Sequence, residues 1–543
     1  MRSIRNFLAA AVAVAVVACA RNHPSVSTAP MPKARRPTLV VMVLIDQLRA
    51  DMLDHYGDLF TGGFRRLRDQ GHTYTNATHD HAVTETAPGH ATLSTGVYPS
   101  RHGVVSDGWF EKRDGKWIRL NNVVDPGVKI VGQPQLPGAS PSNLQRSGFA
   151  EWLTAADSRS IIASASGKDR GAILPAAHTK GFVYWFDLSV GRFVTSTYYR
   201  QADPDWITSF NDNMRGRFRS DTVWLSRVPK SMASRTDNDT IPTEGDGVHT
   251  AFPHSFSLEG SPNAFWQWWS TIPDLDLATF NLAETMVTSL GLGRDDATDF
   301  LSVSASSTDR VGHAYGPDSR EQLDNLLRLD RELGQFFDFL DRSVGKGKWT
   351  MMLTADHGIL DLAEDVQARG GFARRLTATD KATFDSLRLI ANSTSDPTTA
   401  AIRLRDDLKK LPIVADAWTH EQLETGQPAD SFEVLKRHAL WPGREEGVFS
   451  RDGVEVRFVP GIIFTETTDP NSSIEFRPRG TNHGSPYYYD RHVPMIFMGP
   501  GITAGRDASR ARTLDFAPTF AAILGIPYPD DLDGKPLPAI IKR

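Results

Sequence analysis

Six side chains able to bind a metal fall at the ends of apolar runs. Asp46 directly follows TLVVMVLI at 38–45. Asp309 and His313, in TDRVGHAYGP, come just after the run at 300–305. Asp356 and His357, in LTADHG, end the run at 350–355, and His483, in GTNHGSPYYYDRHVPM, precedes the run at 493–498. Three carboxylates and three imidazoles form the mixed hard and soft donor set that suits zinc. Each fragment alone is ordinary turn or capping chemistry; their coincidence at four strand ends is not. His55, His249 and His438 read as surface or packing residues.

Two further groups point to phosphate. Thr86, in VTETAPGHATLSTG, stands where a helix begins. A helix start offers unpaired N–H groups and the positive end of the helix dipole, which together bind anions. The plain reading of Thr86 is a helix cap. The chemical reading is a nucleophile whose hydroxyl is activated by a nearby metal. Lys168 and Arg170, in SASGKDRGAI, follow the β-like run at 161–165. On an extended segment they would point the same way and could bracket phosphoryl oxygens, or simply be a solvated turn.

These residues need a scaffold that brings strand ends together. The apolar runs are rich in β-branched residues, as in strands buried on both faces. Helical segments at 321–340 and 514–524 lie between or beyond them. The alternation predicts an α/β fold with a central, mostly parallel sheet flanked by helices on both faces. In such sheets ligands gather at the carboxyl edge. The stretches near 190–275 and 362–475 fit the alternation poorly and are expected to be insertions or a cap over the sheet.

The 543 residues are 40% hydrophobic and 23% charged, with a net charge of −5, so no basic face for nucleic acid is expected. Arg2 and Arg5 precede an uncharged apolar run at 7–18, the pattern of an export signal at 1–20. The single cysteine, Cys19, ends that run in VVAC and resembles a bacterial lipobox; cleavage after Ala20 is the alternative. Residues 21–37 read as a tether and 38–543 as the catalytic domain. The mature chain is expected to be a periplasmic monomer without disulfides, lipid-anchored if Cys19 is modified.

The motifs VVMVLIDQLRADML, TETAPGHATLSTGVYPSRHGV, SASGKDRGAI, STDRVGHAYGPDS, LTADHG and GTNHGSPYYYDRHVP span about 38–500. Together they resemble the alkaline phosphatase superfamily. More narrowly they resemble its branch with a threonine nucleophile, which includes nucleotide pyrophosphatase/phosphodiesterases. The resemblance implies two zinc ions per chain. Asp309, His313 and His483 would hold one; Asp46, Asp356 and His357 would hold the other, with Thr86 facing it. It implies double displacement on small phosphate esters through a phosphothreonine at Thr86. Lys168 and Arg170 match the pair that contacts the phosphoryl oxygens in the zinc-only monoesterases of the branch, so a phosphomonoesterase is expected.

One position departs from the pattern. Asp107, in HGVVSDGWF, aligns with an asparagine that donates a hydrogen bond to the phosphoryl group in that branch. An ionised aspartate only accepts. Asp107 is therefore expected to turn toward Lys168 or Arg170 and temper their charge. A phosphodiesterase or nucleotide pyrophosphatase stands as the alternative, and an exported non-catalytic binding protein as a remote one. A sulfatase is disfavoured because Thr86-Ala87-Pro88-Gly89 lacks the formylglycine precursor and its arginine. A cofactor-independent phosphoglycerate mutase is disfavoured by the export signal.

Overall fold

The computed structural model describes residues 36–218, 222–237, 240–256, 264–464 and 477–541. The export signal, Cys19 and the tether up to residue 35 lie outside the described residues. No helix among the described residues is long and apolar enough to cross a membrane.

Nine strands make the central sheet. In chain order they are β1 (Leu39–Ile45), β2 (His72–Thr78), β3 (Ile162–Ser166), β4 (Phe182–Asp187) and β5 (Arg192–Val194). β6 (Asp299–Ala305), β7 (Trp349–Thr354), β8 (Met495–Met498) and β9 (Gly505–Arg512) complete it. Their order across the sheet is β9-β2-β8-β7-β1-β6-β3-β4-β5. β1 pairs in parallel with β6 and β7, and β6-β3-β4 continue in the same direction. β8 runs antiparallel to β7 and to β2, and β5 runs antiparallel to β4. Seven of the nine strands thus share one direction, the mostly parallel sheet expected, and only β8 and β5 are reversed.

β8 corrects one expectation. The run at 493–498 reads as another buried parallel strand, but its direction is reversed. Periodicity reports burial on both faces, which β8 shares with β1, and carries no information on direction. The reversal has a consequence for the site. His483 precedes β8, and only a reversed strand starts at the edge where its parallel neighbours end.

Helices cover both faces. Among them are α1 (Thr86–Thr95), α2 (Asp169–Ala176), α3 (Asp274–Leu290), α4 (Ser307–Tyr315), α5 (Arg320–Leu340) and α6 (Phe516–Leu524). Alternate residues of β1 serve two cores. Leu39, Val41, Val43 and Ile45 pack with Leu282 of α3 and Leu326 and Leu333 of α5. Val40, Met42 and Leu44 pack with Ala91 of α1, Ile173 of α2 and Phe516 and Phe520 of α6. Each fully buried side chain of this size contributes about 1.5–3 kcal/mol. α5 begins where Ser319 Oγ accepts from Gln322 N at 3.1 Å.

From 190 to 275, Ile207, Met214, Phe218, Trp224, Trp266 and Trp269 join the first of these cores. From 362 to 464 the chain has a core of its own, around Phe384, Leu404, Leu408, Val454 and Phe458. Antiparallel strands Val414–Thr419 and Val454–Phe458 organise it.

Candidate active site

Thr86 is the first residue of α1, and all ten residues of that helix are buried. Such a helix has no solvent face and is fixed by packing on all sides. Gly89 permits this seat, because a Cβ there would stand 2.3 Å from the backbone oxygen of Asp356. The capping position belongs to Glu85, and the Thr86 side chain makes no capping bond. Instead Lys168 Nζ donates to Thr86 Oγ1 at 3.2 Å. The hydroxyl thus faces the strand ends rather than its own helix. His90, one turn on, donates from Nδ1 to the Thr86 carbonyl at 2.8 Å and stands 3.2 Å from Asp356 Oδ2.

The six candidate ligands converge at the carboxyl edge of the sheet. His357 Nε2 lies 3.5 Å from Asp46 Oδ1 and 3.8 Å from Asp356 Oδ1. His313 Nε2 and His483 Nε2 lie 3.2 and 3.8 Å from Asp309 Oδ1. Ligand atoms of Asp46, Asp356 and His357 fall within 4.8 Å of one another, as do those of Asp309, His357 and His483. His357 thus stands between the groups, and its ring stacks on His483 at 3.7 Å. Gln47 ties the groups together, its Nε2 donating to Asp309 Oδ1 at 2.8 Å and its backbone N–H to Asp356 Oδ1 at 3.1 Å.

These residues fit a divalent metal. Nδ1 of His313, His357 and His483 each faces a backbone carbonyl, of Thr481, Gly358 and Thr84, at 2.9, 2.9 and 2.7 Å. A carbonyl only accepts, so Nδ1 of each ring carries a proton, and Nε2, on the carboxylate side, is the atom left to ligate a metal. Burial lowers the pKa of His357 and of His483, which favours the neutral ligating form. The buried atoms Asp46 Oδ1 and His357 Nε2 have no hydrogen-bond partner in the protein. Burial, and then Asp309 and Asp356, push the Asp46 carboxyl well above the usual range. Burial also opposes the charge of Asp309, but Lys168 and His313 hold it well below that range. Three close carboxylates balanced within the protein by one ammonium call for added positive charge.

The Lys-x-Arg pair differs from its expected form. Lys168 is extended, but Arg170 is already inside α2, so the two do not share one extended segment. Lys168 Nζ reaches Asp46 Oδ2 at 2.6 Å and Asp309 Oδ2 at 2.7 Å. Burial opposes its charge, yet Asp309 and Asp46 raise its pKa above the ordinary lysine value. Arg170 Nη2 pairs instead with Asp107 Oδ2 at 2.6 Å. Asp107 Oδ1 accepts from the Ala87 N–H at 2.8 Å, so this carboxylate links Arg170 to the start of α1.

Glu85, Gln47 and His90 are site residues that the sequence reading missed. Glu85 Oε2 accepts from Asp107 N at 2.6 Å and from Ser106 Oγ at 3.0 Å. Burial and then Asp107 raise the Glu85 carboxyl to about 7. The signal for His90 was its spacing of four from Thr86, which places it over the same helix face. Glu85 and Gln47 had only their adjacency to Thr86 and Asp46.

A cavity of about 360 Å³ opens from this cluster, lined by Glu85, Asp107, His313 and His483 and also by Phe449 and Phe458. Residues 40–445 match the family described as type I phosphodiesterase / nucleotide pyrophosphatase. The chain belongs to that family. It is 31% identical over 530 residues to the alkaline phosphatase PafA of Elizabethkingia meningoseptica, spanning 94% of this chain and 95% of that one. It is also 31% identical over 529 residues to the alkaline phosphatase PhoV of Synechococcus elongatus, spanning 93% of each. The crystal structure of wild-type PafA superposes with a TM-score of 0.82 at 29% identity, over 93% of this chain and 99% of that one. These likenesses bear out the resemblance to the alkaline phosphatase superfamily read from the motifs.

Proposed function

We propose that this protein is an exported, zinc-dependent phosphomonoesterase that works by double displacement through Thr86. The observation that carries the reading is the surroundings of the Thr86 hydroxyl. It is held at a helix start with Lys168 3.2 Å away and Arg170 joined to the same helix start through Asp107. A phosphoryl group bonded to this oxygen would lie within reach of Lys168. Two fixed cations favour a dianionic monoester over a monoanionic diester. Two zinc ions, held by Asp46, Asp356 and His357 and by Asp309, His313 and His483, would supply the Lewis acidity that makes a threonine hydroxyl reactive. His90 would orient Thr86 by holding its carbonyl. Export rests on Arg2, Arg5 and the apolar run that ends at Cys19.

The test is kcat/KM for p-nitrophenyl phosphate against bis-p-nitrophenyl phosphate on one zinc-loaded preparation. The monoester is expected to be faster by at least about 100-fold, equivalent to ~2.7 kcal/mol of barrier. A faster diester would overturn the monoesterase reading and leave the metal site intact.

A phosphodiesterase is the second reading, and Asp107 favours it by neutralising Arg170. Asp107 also occupies the Ala87 N–H that an incoming phosphoryl oxygen could use. Asp107→Asn keeps an accepting oxygen for Ala87, removes the charge and adds a donor. It is expected to raise kcat/KM for p-nitrophenyl phosphate about tenfold or more, ~1.4 kcal/mol. A fall instead would mean that the carboxylate is needed in place to orient Arg170.

A further inference from the structure

His313 also lines a second cavity, of about 350 Å³, in which no residue of α1 takes part. Its other charged lining residues are Arg310, Arg477 and Arg479, and no carboxylate lines it among the described residues. Arg477 lines the first cavity as well and so stands where the two meet. Its Nε donates to the backbone oxygen of Arg479 at 3.2 Å, which holds the Arg477 guanidinium against that turn. Arg310 donates from Nη1 to Ser270 Oγ at 3.3 Å, a neutral partner.

Two cations of the first cavity, Lys436 and Arg457, are different. Lys436 lies 3.6 Å from both Glu446 and Glu455. Arg457 stacks over Phe432 at 4.2 Å and approaches Asp430 at 3.9 Å. Their charge is already taken up inside the protein. Among the described residues neither Arg477 nor Arg479 is ion-paired with a carboxylate. Three guanidinium groups around one small cavity focus a positive field and present forked donors that match a carboxylate or a phosphate.

In an in-line displacement the departing oxygen lies opposite the attacking one. With Thr86 attacking from the helix that packs on Asp356, the alcohol would leave toward Asp309, His313 and His483, and His313 lines this second cavity. We infer that Arg310, Arg477 and Arg479 form an anion subsite for the leaving group, and that the preferred substrates are monoesters of alcohols bearing a second anion, a carboxylate or a further phosphate. The inference rests on the phosphatase reading above and narrows its substrate class. The covalent change is unaltered. The bond from phosphorus to the alcohol oxygen breaks as that to Thr86 Oγ forms, and the electron pair leaves on the alcohol oxygen, which takes a proton. Water then releases orthophosphate and restores the hydroxyl.

A matched pair tests it. 3-Phosphoglycerate and glycerol 3-phosphate differ by a carboxylate in place of a hydroxymethyl group. The ratio of their kcat/KM values is expected to be at least fivefold in the wild-type enzyme and to fall at least fivefold in Arg477→Ala. Arg479→Ala, at an exposed residue, is expected to lower the ratio in the same direction, as is 0.5 M sodium chloride by screening. Propane-1,3-diol bisphosphate against its monophosphate shows whether phosphate is accepted as well as carboxylate. A smaller wild-type ratio, or one that Arg477→Ala leaves unchanged, would overturn the subsite. If p-nitrophenyl phosphate itself is not hydrolysed, the phosphatase reading fails instead.

Discussion

Thr86→Ala is expected to lower kcat for p-nitrophenyl phosphate by at least about 1000-fold, or ~4 kcal/mol of barrier. The size follows from removing the only atom to which the phosphoryl group would be transferred. The fold is expected to survive, since the Thr86 hydroxyl makes no capping bond and accepts only from Lys168. Alanine is also the better helix former. Melting temperature and zinc content should therefore stay close to wild type, because the six candidate Asp and His ligands remain. Acid quenching during turnover of labelled substrate should trap phosphothreonine in the wild-type protein and none in the variant. Thr86→Ser should restore part of the rate, since it keeps the oxygen. A variant retaining more than a tenth of wild-type activity would move the nucleophile to another group or to water.

Much of this arrangement was legible because strand ends announce themselves. An apolar run broken by a carboxylate marked Asp46, Asp309 and Asp356 as neighbours at one sheet edge, and the sheet puts them there. His483 was legible as a residue but not as a position. Its place depends on the reversed direction of β8, which burial periodicity does not encode. Arg170 was misplaced for a local reason, since α2 starts at Asp169, two residues earlier than an extended reading through Arg170 allows. Glu85 and Gln47 stayed hidden because their roles are tertiary. Glu85 looks like any acidic residue before a helix until Asp107 and Ser106 are folded against it. Gln47 gains its meaning only when β6 and β7 flank β1. The arginines beyond His313 come from distant segments, and no local pattern joins 310 to 477.

Lys168→Ala separates the electrostatics of catalysis from those of folding. The ammonium is buried between Asp46 and Asp309 at 2.6 and 2.7 Å, with Thr86 at 3.2 Å. In the metal-free protein its loss leaves three close carboxylates without an internal cation. Breaking a buried pair in this way costs about 3–5 kcal/mol. A lower melting temperature is therefore expected without zinc and a much smaller difference with it, since bound zinc supplies the missing charge. On the loaded enzyme, kcat/KM for p-nitrophenyl phosphate is expected to fall about 100-fold, ~2.7 kcal/mol, as for other transition-state donors. For bis-p-nitrophenyl phosphate the fall should be nearer tenfold, because a diester carries one negative charge fewer on its phosphoryl oxygens. Lys168→Arg should not rescue the monoester rate, since a planar guanidinium cannot replace a compact ammonium between two carboxylates. Equal losses on both substrates would assign Lys168 to holding the metal ligands apart rather than to reading the phosphoryl charge. The unequal losses expected here would make the same residue the counterion of the empty site and the donor of the filled one.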